Sequence, residues 1–269
     1  MSTVFSFRSL AKQCVSSKRG ALKRVEQLII MKREWYRCRR ILNAMQDDAK
    51  KRAAERAVGM VRDGNIVGLG TGSTAKFAIE GLGQLVRGGL SIKGVPTSVA
   101  TERLAQEQGI PLIELNDVDE IDITIDGADE IDSAFDMIKG GGGALTREKL
   151  VALSSRKRVI LVDESKLVSK LGQSHLLPVE VLPFAWKMAH RALEKLGATA
   201  TLRMRNDQPL FTDNGNYILD CGFGIIDNAR ELECGIKLLP AVIECGLFIG
   251  IADTLVIGFE DRVEVRERH

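Results

Sequence analysis

Three segments of the sequence combine glycine with side chains that bind anions or move protons, and each follows a short apolar run. In order, they are GLGTGST over 68–74, DGADE over 126–130 and KGGGGALTREK over 139–149. Glycines let a backbone turn tightly and approach a ligand closely. Carboxylates accept and return protons, and a lysine supplies a fixed positive charge. The three segments therefore predict a site that holds a small anion and carries out acid–base chemistry on it.

The first segment, over 68–74, is typical of a phosphate-binding loop. It lies between a strand-like run and a helix-like run, where helix N–H groups and the positive end of the helix dipole attract anions. Its possible contacts to an anion are Thr71, Gly72, Ser73 and Thr74. No Gly-Lys-Ser/Thr follows, which excludes a P-loop, and Ser73 occupies the third glycine position of a dinucleotide-binding fingerprint. A glycine-rich connecting turn with a Ser/Thr cap is the alternative interpretation.

The second segment places two carboxyl groups directly after the alternating run IDITI. Asp126 and Asp129 enclose Gly127 and Ala128. Carboxylates at a strand end can accept hydrogen bonds from sugar hydroxyls or shuttle their protons. An Asx-type turn on a solvated face is the alternative, because Asp and Gly also favour turns.

The third segment combines four consecutive glycines with one lysine and one glutamate. Such a run costs backbone entropy on folding, and it lets N–H groups come very close to a ligand. Lys139 precedes the loop and Glu148 follows it at the start of the next helix; the loop itself is Gly140, Gly141, Gly142 and Gly143. The pattern predicts a cation and a potential base on opposite sides of the loop, and a flexible linker with surface charges is the alternative. Lys166, after the later run RVILV, is by itself typical of a solvated surface lysine.

Short apolar runs and helical patterns alternate from residue 47 onward. Strands are predicted over 65–70, 91–98, 111–116, 120–130 and 158–165, and helices over 47–61, 74–86, 101–109 and 147–155. This alternation predicts an α/β fold, an open, mainly parallel Rossmann-like sheet with helices on both faces. Ligands of such sheets bind at the carboxyl ends of the strands, which is where the three segments fall.

After Pro178 the pattern changes to a helix, a pair of strands, a second helix and two short strands. The helices are predicted over 184–197 and 229–239, and the strand pair over 199–224 turns around Asp213, Asn214 and Gly215. The short runs over 246–251 and 254–259 are expected to return to the main sheet. We therefore predict a basic N-terminal extension over 1–46, a Rossmann-like catalytic domain over 47–175 and 246–269, and a small α+β, ferredoxin-like insert domain over 176–245.

The composition is that of a globular protein, since 45% hydrophobic and 28% charged residues exclude a disordered or fibrous chain. The net charge of +2 averages two unlike parts. Residues 1–46 carry eleven Lys and Arg against two acidic residues, whereas the rest carries 27 basic and 34 acidic residues. This mildly acidic body disfavours a nucleic-acid partner. The apolar region over 236–258 is interrupted by charged residues, so we expect no membrane span.

Five scattered cysteines and three histidines show no ligand-like spacing, so we expect neither a disulfide framework nor a metal site. The basic extension is rich in Arg, contains Ser and is poor in acids, as organellar transit peptides are. A basic helical extension of the folded domain and translation from Met31 or Met45 are the alternatives. We expect a cytoplasmic protein unless the extension directs import into an organelle.

Six motifs, taken in order, closely resemble ribose-5-phosphate isomerases of the A type: GTGST, DGADE, KGGGGALTREK, DESK, LPVEV and TDNGNYILD. The resemblance runs from about Asp47 to the C-terminus. It implies the interconversion of D-ribose 5-phosphate and D-ribulose 5-phosphate in the pentose phosphate pathway. It also implies a homodimer or homotetramer that needs no metal or organic cofactor.

The resemblance further implies roles for individual residues. The substrate-contacting segments of the family fall on 71–74, 126–129 and 139–142 and on Lys166, and its proton-acceptor glutamate falls on Glu148. A lysine of the family's first helix matches Lys50 best, with Lys51 beside it. Gly143 stands where some members have alanine, a change without catalytic consequence.

Aldose–ketose isomerisation requires a proton to leave the carbon beside a carbonyl and to return to the adjacent carbon. One carboxylate can do both through an enediolate, a role that we assign to Glu148, while Lys139 and the loop amides stabilise the oxyanion. Asp126 and Asp129 would move hydroxyl protons, and residues 71–74 would hold the phosphate. Two other functions remain open: a non-catalytic sugar-phosphate-sensing regulator, and a coenzyme A transferase-like enzyme with Glu148 as nucleophile.

Overall fold

The computed structural model of the chain describes residues 45–268, so the predicted extension lies outside the described residues except for its last two. The helices are α1 (45–58), α2 (Ser73–Arg87), α3 (Val99–Glu107), α4 (Leu145–Leu153), α5 (Trp186–Lys195) and α6 (Ala229–Lys237). The strands are β1 (Ile66–Leu69), β2 (Lys93–Pro96), β3 (Ile121–Gly127), β4 (Glu130–Ile131), β5 (Met137–Ile138), β6 (Ser155–Asp163), β7 (Leu177–Val181), β8 (Thr199–Leu202), β9 (Met204–Arg205), β10 (Gln208–Pro209), β11 (Tyr217–Gly222), β12 (Val242–Cys245), β13 (Leu247–Phe248), β14 (Thr254–Gly258) and β15 (Val263–Glu267). Within 45–268, none of the helices combines the length and the apolar character that a membrane crossing requires.

Six strands form the central sheet, in the order β15-β14-β6-β3-β1-β2. Neighbouring strands are parallel except for β14 and β15, which are antiparallel at one edge. Successive side chains of a strand point to opposite faces. In β6, Val159 and Leu161 therefore share a buried cluster with α1 and α2, whereas Ile160 and Val162 share one with α4. The prediction of a mainly parallel Rossmann-like sheet with helices on both faces is confirmed.

Four antiparallel strands form a second sheet, in the order β12-β7-β11-β8. Along the chain its elements run β7-α5-β8-β11-α6-β12, which is the βαββαβ arrangement of ferredoxin-like folds. Ala189 and Leu193 of α5 and Ile236 of α6 are fully buried in the core of this unit. The small ferredoxin-like unit is thus confirmed, while the predicted domain boundaries stay a prediction.

A short ribbon of three strands, β13-β5-β4, carries the chain into the third glycine-containing segment. Its middle strand β5 ends directly before Lys139, whose N–H donates to the carbonyl of Gly246 at 2.9 Å. The run over 246–251 was expected to return to the main sheet, and it pairs with β5 instead. The run over 254–259 does return to the main sheet, as β14.

The strand predicted over 111–116 is wrong. Only Leu112 pairs, in a single bridge to Gly94 of β2, and the chain then turns through a 3-10 helix at Leu115–Asp117. Pro111 has no N–H to donate to a ladder, so pairing cannot extend toward the N-terminal side. The strand pair predicted over 199–224 exists as β8 and β11, but a small hairpin of β9 and β10 interrupts it.

Candidate active site

A cleft opens at the carboxyl ends of β1 and β3, beside the loop between β5 and α4. Its walls are formed by Thr71, Gly72, Ser73, Thr74, Gly127, Ala128, Asp129, Lys139, Gly140, Gly141, Gly142, Glu148 and Lys166. The three predicted segments therefore meet in one place. The first two follow the parallel strands β1 and β3, and the third follows β5 of the antiparallel ribbon. Two predicted site residues, Asp126 and Lys50, do not line this cleft.

The first loop crosses over Asp126 and leads into a helix without a side-chain cap. A Cβ atom at Gly70 would lie 2.2 Å from Asp126 Oδ1, so the crossing requires glycine. Gly72 has a φ of 118°, which favours glycine, and it precedes α2 with no capping side chain. The first N–H groups of α2 remain available to an anion, and the exposed Ser73 stands beside them.

The hydroxyl of Thr71 has partners other than the expected anion. Its Oγ1 lies 2.7 Å from Thr97 Oγ1, 2.8 Å from Ser98 Oγ and 3.0 Å from Thr101 Oγ1. This cluster of hydroxyl groups ties the first loop to the start of α3. Thr71 therefore presents other atoms to the cleft, whose lining also includes Ser73 and Thr74.

A lysine ammonium group lies between two carboxyl groups at the base of the cleft. Lys139 Nζ is 3.0 Å from Asp126 Oδ2 and 3.4 Å from Glu148 Oε1, and it also donates to the carbonyl of Gly127. These three ionisable side chains are only 3–5% exposed. Asp126 also accepts hydrogen bonds from the N–H groups of Thr71 and Gly127. Asp126 is thus a buried counterion of Lys139 rather than part of the cleft wall.

Lys139 and Glu148, which contact each other at the base of the cleft, have shifted pKa values. Burial raises the pKa of Glu148 to about 8, because the ionised form loses its hydration; Lys139 opposes this shift and the two neighbouring aspartates reinforce it. Burial disfavours the charge of Lys139, but the carboxylates of Asp126 and Glu148 outweigh burial and raise its pKa above the ordinary value. The lysine therefore stays charged near neutral pH, whereas Glu148 exists in both forms.

The second carboxyl oxygen of Glu148 lacks a partner within the protein. Oε2 is buried and forms no hydrogen bond to any residue that the structure describes. A buried polar atom without a partner costs about 1–3 kcal/mol. Glu148 lines the cleft, and Oε2 is its carboxyl oxygen without a partner among the described residues, so Oε2 is the oxygen best suited to take a proton.

Asp129 and the glycine loop hold each other in place. Asp129 Oδ2 accepts a hydrogen bond of 2.7 Å from the N–H of Gly141, and a Cβ atom at Gly141 would lie 2.8 Å from Asp129 Oδ1. Gly140 and Gly143 have φ values of 104° and 85°. The run of glycines thus reflects a left-handed backbone on both sides of a close contact with a carboxylate.

Of the two remaining lysines predicted to contact the ligand, Lys166 lines the cleft and Lys50 does not. Lys166 ends the 3-10 helix Glu164–Lys166 and lines the cleft, so a solvated surface position is not what the structure shows. Lys50 lies in α1, 3.5 Å from Asp47, and its proposed contact with a ligand stays a prediction.

Two buried residues that sequence reasoning did not single out anchor helix α4, which carries Glu148. The fully buried carboxylate of Glu180 accepts hydrogen bonds from four neutral side chains, those of Thr146, Thr212, Asn214 and Asn216. The ammonium of Lys149 contacts the carboxylates of Glu233 and Glu244 and the carbonyl of Cys245 at 2.8–3.0 Å. A lone glutamate within the apolar run LPVEV is the pattern that could have indicated Glu180.

Glu233, Glu244 and Cys245 lie close enough to share a metal ion. Their geometry does not favour one, because the Lys149 ammonium contacts both carboxylates. Burial also raises the pKa of the Cys245 thiol to about 11, so its sulfur is protonated near neutral pH. This group of residues is an internal ion-pair network around Lys149.

A Rossmann-like sheet with a glycine- and hydroxyl-lined cleft at its strand ends is typical of one class of protein, the α/β enzymes that bind small phosphorylated ligands. The family model of ribose 5-phosphate isomerase A (phosphoriboisomerase A) matches residues 93–262. The chain belongs to the ribose 5-phosphate isomerase A family.

Individual relatives are similar over most of their length. Ribose-5-phosphate isomerase A 1 of Oceanobacillus iheyensis is 48% identical over 82% of this chain and 99% of its own. The Gloeobacter violaceus enzyme is 50% identical over 81% of this chain and 96% of its own. A solved ribose 5-phosphate isomerase A from Methanocaldococcus jannaschii is 42% identical, with a TM-score of 0.79 over 82% of this chain and 99% of that one. A second solved isomerase, in complex with phospho-erythronic acid, is 44% identical, with a TM-score of 0.80 over 82% and 98%.

Proposed function

We propose that the chain interconverts D-ribose 5-phosphate and D-ribulose 5-phosphate, a step of the non-oxidative pentose phosphate pathway, through an enediolate with Glu148 as proton acceptor. The observation that carries this proposal is the unpartnered, buried Oε2 of Glu148 beside the ammonium of Lys139. A carboxyl group in this setting can take a proton from carbon, and the adjacent cation can balance the negative charge that develops on oxygen.

The proposed reaction conserves all atoms. Glu148 removes the proton from C2 of the open-chain aldose, the C2–H electron pair forms the C1–C2 double bond, and the carbonyl oxygen on C1 becomes an oxyanion. Glu148 then returns its proton to C1, while the hydroxyl proton on O2 moves to O1 and leaves a ketone at C2. Lys139 and the N–H groups of the glycine loop stabilise the oxyanion.

The remaining cleft residues take supporting roles in this proposal. Asp129 moves hydroxyl protons and assists opening of the furanose ring, and Asp126 acts through Lys139, whose ammonium it holds at 3.0 Å. The N–H groups at the start of α2, the hydroxyls of residues 73–74 and Lys166 bind the phosphate. Phospho-erythronic acid, the ligand of the solved relative, carries a carboxylate that resembles the enediolate, and we expect it to bind in the same cleft.

A single assay tests this function. The full chain is incubated with ribose 5-phosphate and EDTA while ketose formation is followed, and Glu148→Gln is assayed beside it. We expect activity in the wild type and a loss of about a hundredfold or more in the variant. A wild type that forms no ribulose 5-phosphate would refute the isomerase proposal, whereas full activity of the variant would refute only the role of Glu148.

The comparisons do not favour the two other functions. A coenzyme A transferase-like enzyme requires an acyl-CoA and forms a thioester on Glu148, which mass spectrometry would detect. A regulator without catalysis would bind the sugar phosphate and leave it unchanged.

We also propose a homodimer or homotetramer in the cytoplasm. Phe184 has a fully exposed side chain, and Leu182 and Met188 near it are 43% and 44% exposed. Large apolar side chains exposed close together in the sequence are consistent with an interaction surface. Light scattering of the purified chain gives the oligomeric state, and a monomer at all concentrations would contradict the proposal.

A further inference from the structure

An arginine outside the cleft holds the glycine loop by its carbonyl groups. Arg203 Nη1 donates to the carbonyls of Gly140 and Gly141 at 2.9 and 3.1 Å. The other edge of the guanidinium forms a two-point contact with the carboxylate of Asp220, with Nε–Oδ2 at 2.9 Å. Arg203 follows β8 and Asp220 lies in β11, so the small sheet fixes the orientation of a loop that lines the cleft.

Because the peptide bonds of the loop are trans, the contact with Arg203 also determines where the N–H groups on the other side of the loop point. Residues 45–268 contain no cis peptide bond, so each C=O points opposite to the N–H of the same peptide unit. With two carbonyls directed at Arg203, the N–H groups of Gly141 and Gly142 point away from it. The first donates to Asp129 Oδ2. The second finds no acceptor among the described residues, and Gly142 lines the cleft.

We propose that Arg203 is a positioning residue that sets the Gly142 N–H as a donor to the reacting oxyanion, an inference that rests on the proposed isomerase function. Glycines have more backbone freedom than any other residue, so the orientation of this loop depends on its contacts. Asp129 holds the N–H of Gly141, the N–H of Gly143 donates to the carbonyl of Gly140, and Arg203 holds the carbonyls of Gly140 and Gly141. A donor stabilises an oxyanion only when it already points at the position where the charge develops. The positive guanidinium behind the two peptide units also polarises them and strengthens the N–H as a donor.

The test compares Arg203→Met with the double variant Arg203→Met/Asp220→Asn and with Arg205→Met, an exposed arginine two residues along the chain. The double variant leaves no unpaired carboxylate and keeps the test decisive if the single variant does not fold. We expect kcat to fall by about tenfold to a hundredfold, somewhat less than the loss of a whole oxyanion donor. KM should stay within about threefold, because the phosphate contacts are unchanged. Arg205→Met should match the wild type.

Two ligands separate positioning from general damage to the cleft. Phospho-erythronic acid has a carboxylate at the reacting end, and erythritol 4-phosphate has an uncharged hydroxymethyl group there. Calorimetry should show that loss of Arg203 raises the Kd of phospho-erythronic acid by about the same factor by which kcat/KM falls. The Kd of erythritol 4-phosphate should change by less than about twofold. Equal weakening of both ligands, or wild-type kcat in a folded variant, would overturn the inference. A wild type without isomerase activity would refute the proposed function instead, and the contrast between the ligands would still test Arg203.

Discussion

At the scale of single residues, one ammonium group is shared by two carboxyl groups in different surroundings. Asp126 has Lys139 and two backbone N–H groups as partners, whereas Glu148 has Lys139 on one oxygen and no described partner on the other. Groups with such divergent surroundings take different acid–base roles. Glu148 lines the cleft, which suits the role of base that we propose for it, and Asp126 contacts the lysine from the buried side.

The raised pKa of Glu148 predicts the pH dependence of catalysis. Because only the ionised form accepts a proton, kcat/KM should fall about tenfold per pH unit below a pKa of about 8. The phosphate of the substrate titrates near pH 6, so its effect on the rate can be distinguished from the titration of Glu148 about two pH units higher. Initial rates from pH 5.5 to 9.5 measure the profile, and Glu148→Asp should keep an acidic limb at lower activity. A flat profile from pH 6.5 to 8.5 would contradict the assignment.

The same shift makes the stability of the fold depend on pH. The pKa of Glu148 is higher in the folded protein than its usual 4.5, so between these values the folded state binds more protons than the unfolded state. Its free energy of unfolding therefore falls as pH rises from about 4.5 to 8. Glu148→Gln does not titrate, so urea unfolding should show it gaining stability over the wild type across this window, on the order of a few kcal/mol.

The matched control for this measurement is the exposed Glu107→Gln, which should show no such trend. A constant difference between Glu148→Gln and the wild type at pH 5 and pH 8.5 would refute a raised pKa.

The sequence predicted which segments meet in the cleft, but it did not predict how deeply each side chain is buried or which partners it has. The motifs placed Asp129 after a strand, Lys139 before the glycine loop and Glu148 at the start of the following helix, and the structure brings all three to one cleft. Asp126 and the hydroxyl of Thr71 were expected to contact the ligand, and both have partners within the protein instead. Asp126 contacts Lys139, and Thr71 contacts the hydroxyl groups at the start of α3, which lie elsewhere in the sequence. Spacing alone does not reveal such partners.

At the scale of elements, regular patterns were predictable and strands shaped by their neighbours were not. Strand β7 was missed because Pro178 is typical of a break, yet this strand pairs with both β11 and β12. The apolar run over 111–116 looked like a strand, but only Leu112 finds a partner. Whether a short apolar run forms a strand depends on whether a neighbouring strand has an unpaired edge to bond with it.

Helix α4 depends on Glu180, and this dependence is testable. In Glu180→Gln an amide N–H₂ replaces either Oε2, which accepts from Thr146, or Oε1, which accepts from Thr212, Asn214 and Asn216, and it then faces those donors. We expect a loss of about 1–3 kcal/mol in the free energy of unfolding for a donor left unsatisfied, together with a lower kcat because α4 carries Glu148. Chemical denaturation and steady-state kinetics measure both effects. Glu107→Gln serves again as control, and unchanged values for Glu180→Gln would refute the anchor.

At the scale of the whole molecule, the small ferredoxin-like sheet supports a cleft formed mainly by the large sheet. Glu180 of β7 contacts the first turn of α4, Glu244 of β12 contacts Lys149, and Arg203 contacts the glycine loop. The six-stranded sheet supplies the loop over 68–74 and the strand ends, while the smaller sheet holds helix α4 and the glycine loop, which carry the proposed base and the proposed oxyanion donors. The fold class indicated both units, but these contacts between them appear only in the structure.

Lys149 joins the two sheets, so its removal should destabilise the chain as a whole. Lys149→Met leaves the carboxylates of Glu233 and Glu244 partly buried without this partner. Breaking such a buried pair costs about 3–5 kcal/mol, which thermal or urea unfolding would detect. The exposed Lys195→Met should change stability by less than about 0.5 kcal/mol. A Lys149→Met variant as stable as this control would refute the role of Lys149.

The depth of Glu148, whose side chain is 5% exposed, also governs the fate of hydrogen isotopes. A proton on its buried Oε2 meets little bulk water before it returns to the sugar. Deuterium placed at C2 of ribose 5-phosphate should therefore reach C1 of the ketose in part, where NMR of the product at low conversion would detect it. Complete washout of the label in the first turnover would show that water reaches the carboxyl group faster than the intermediate collapses.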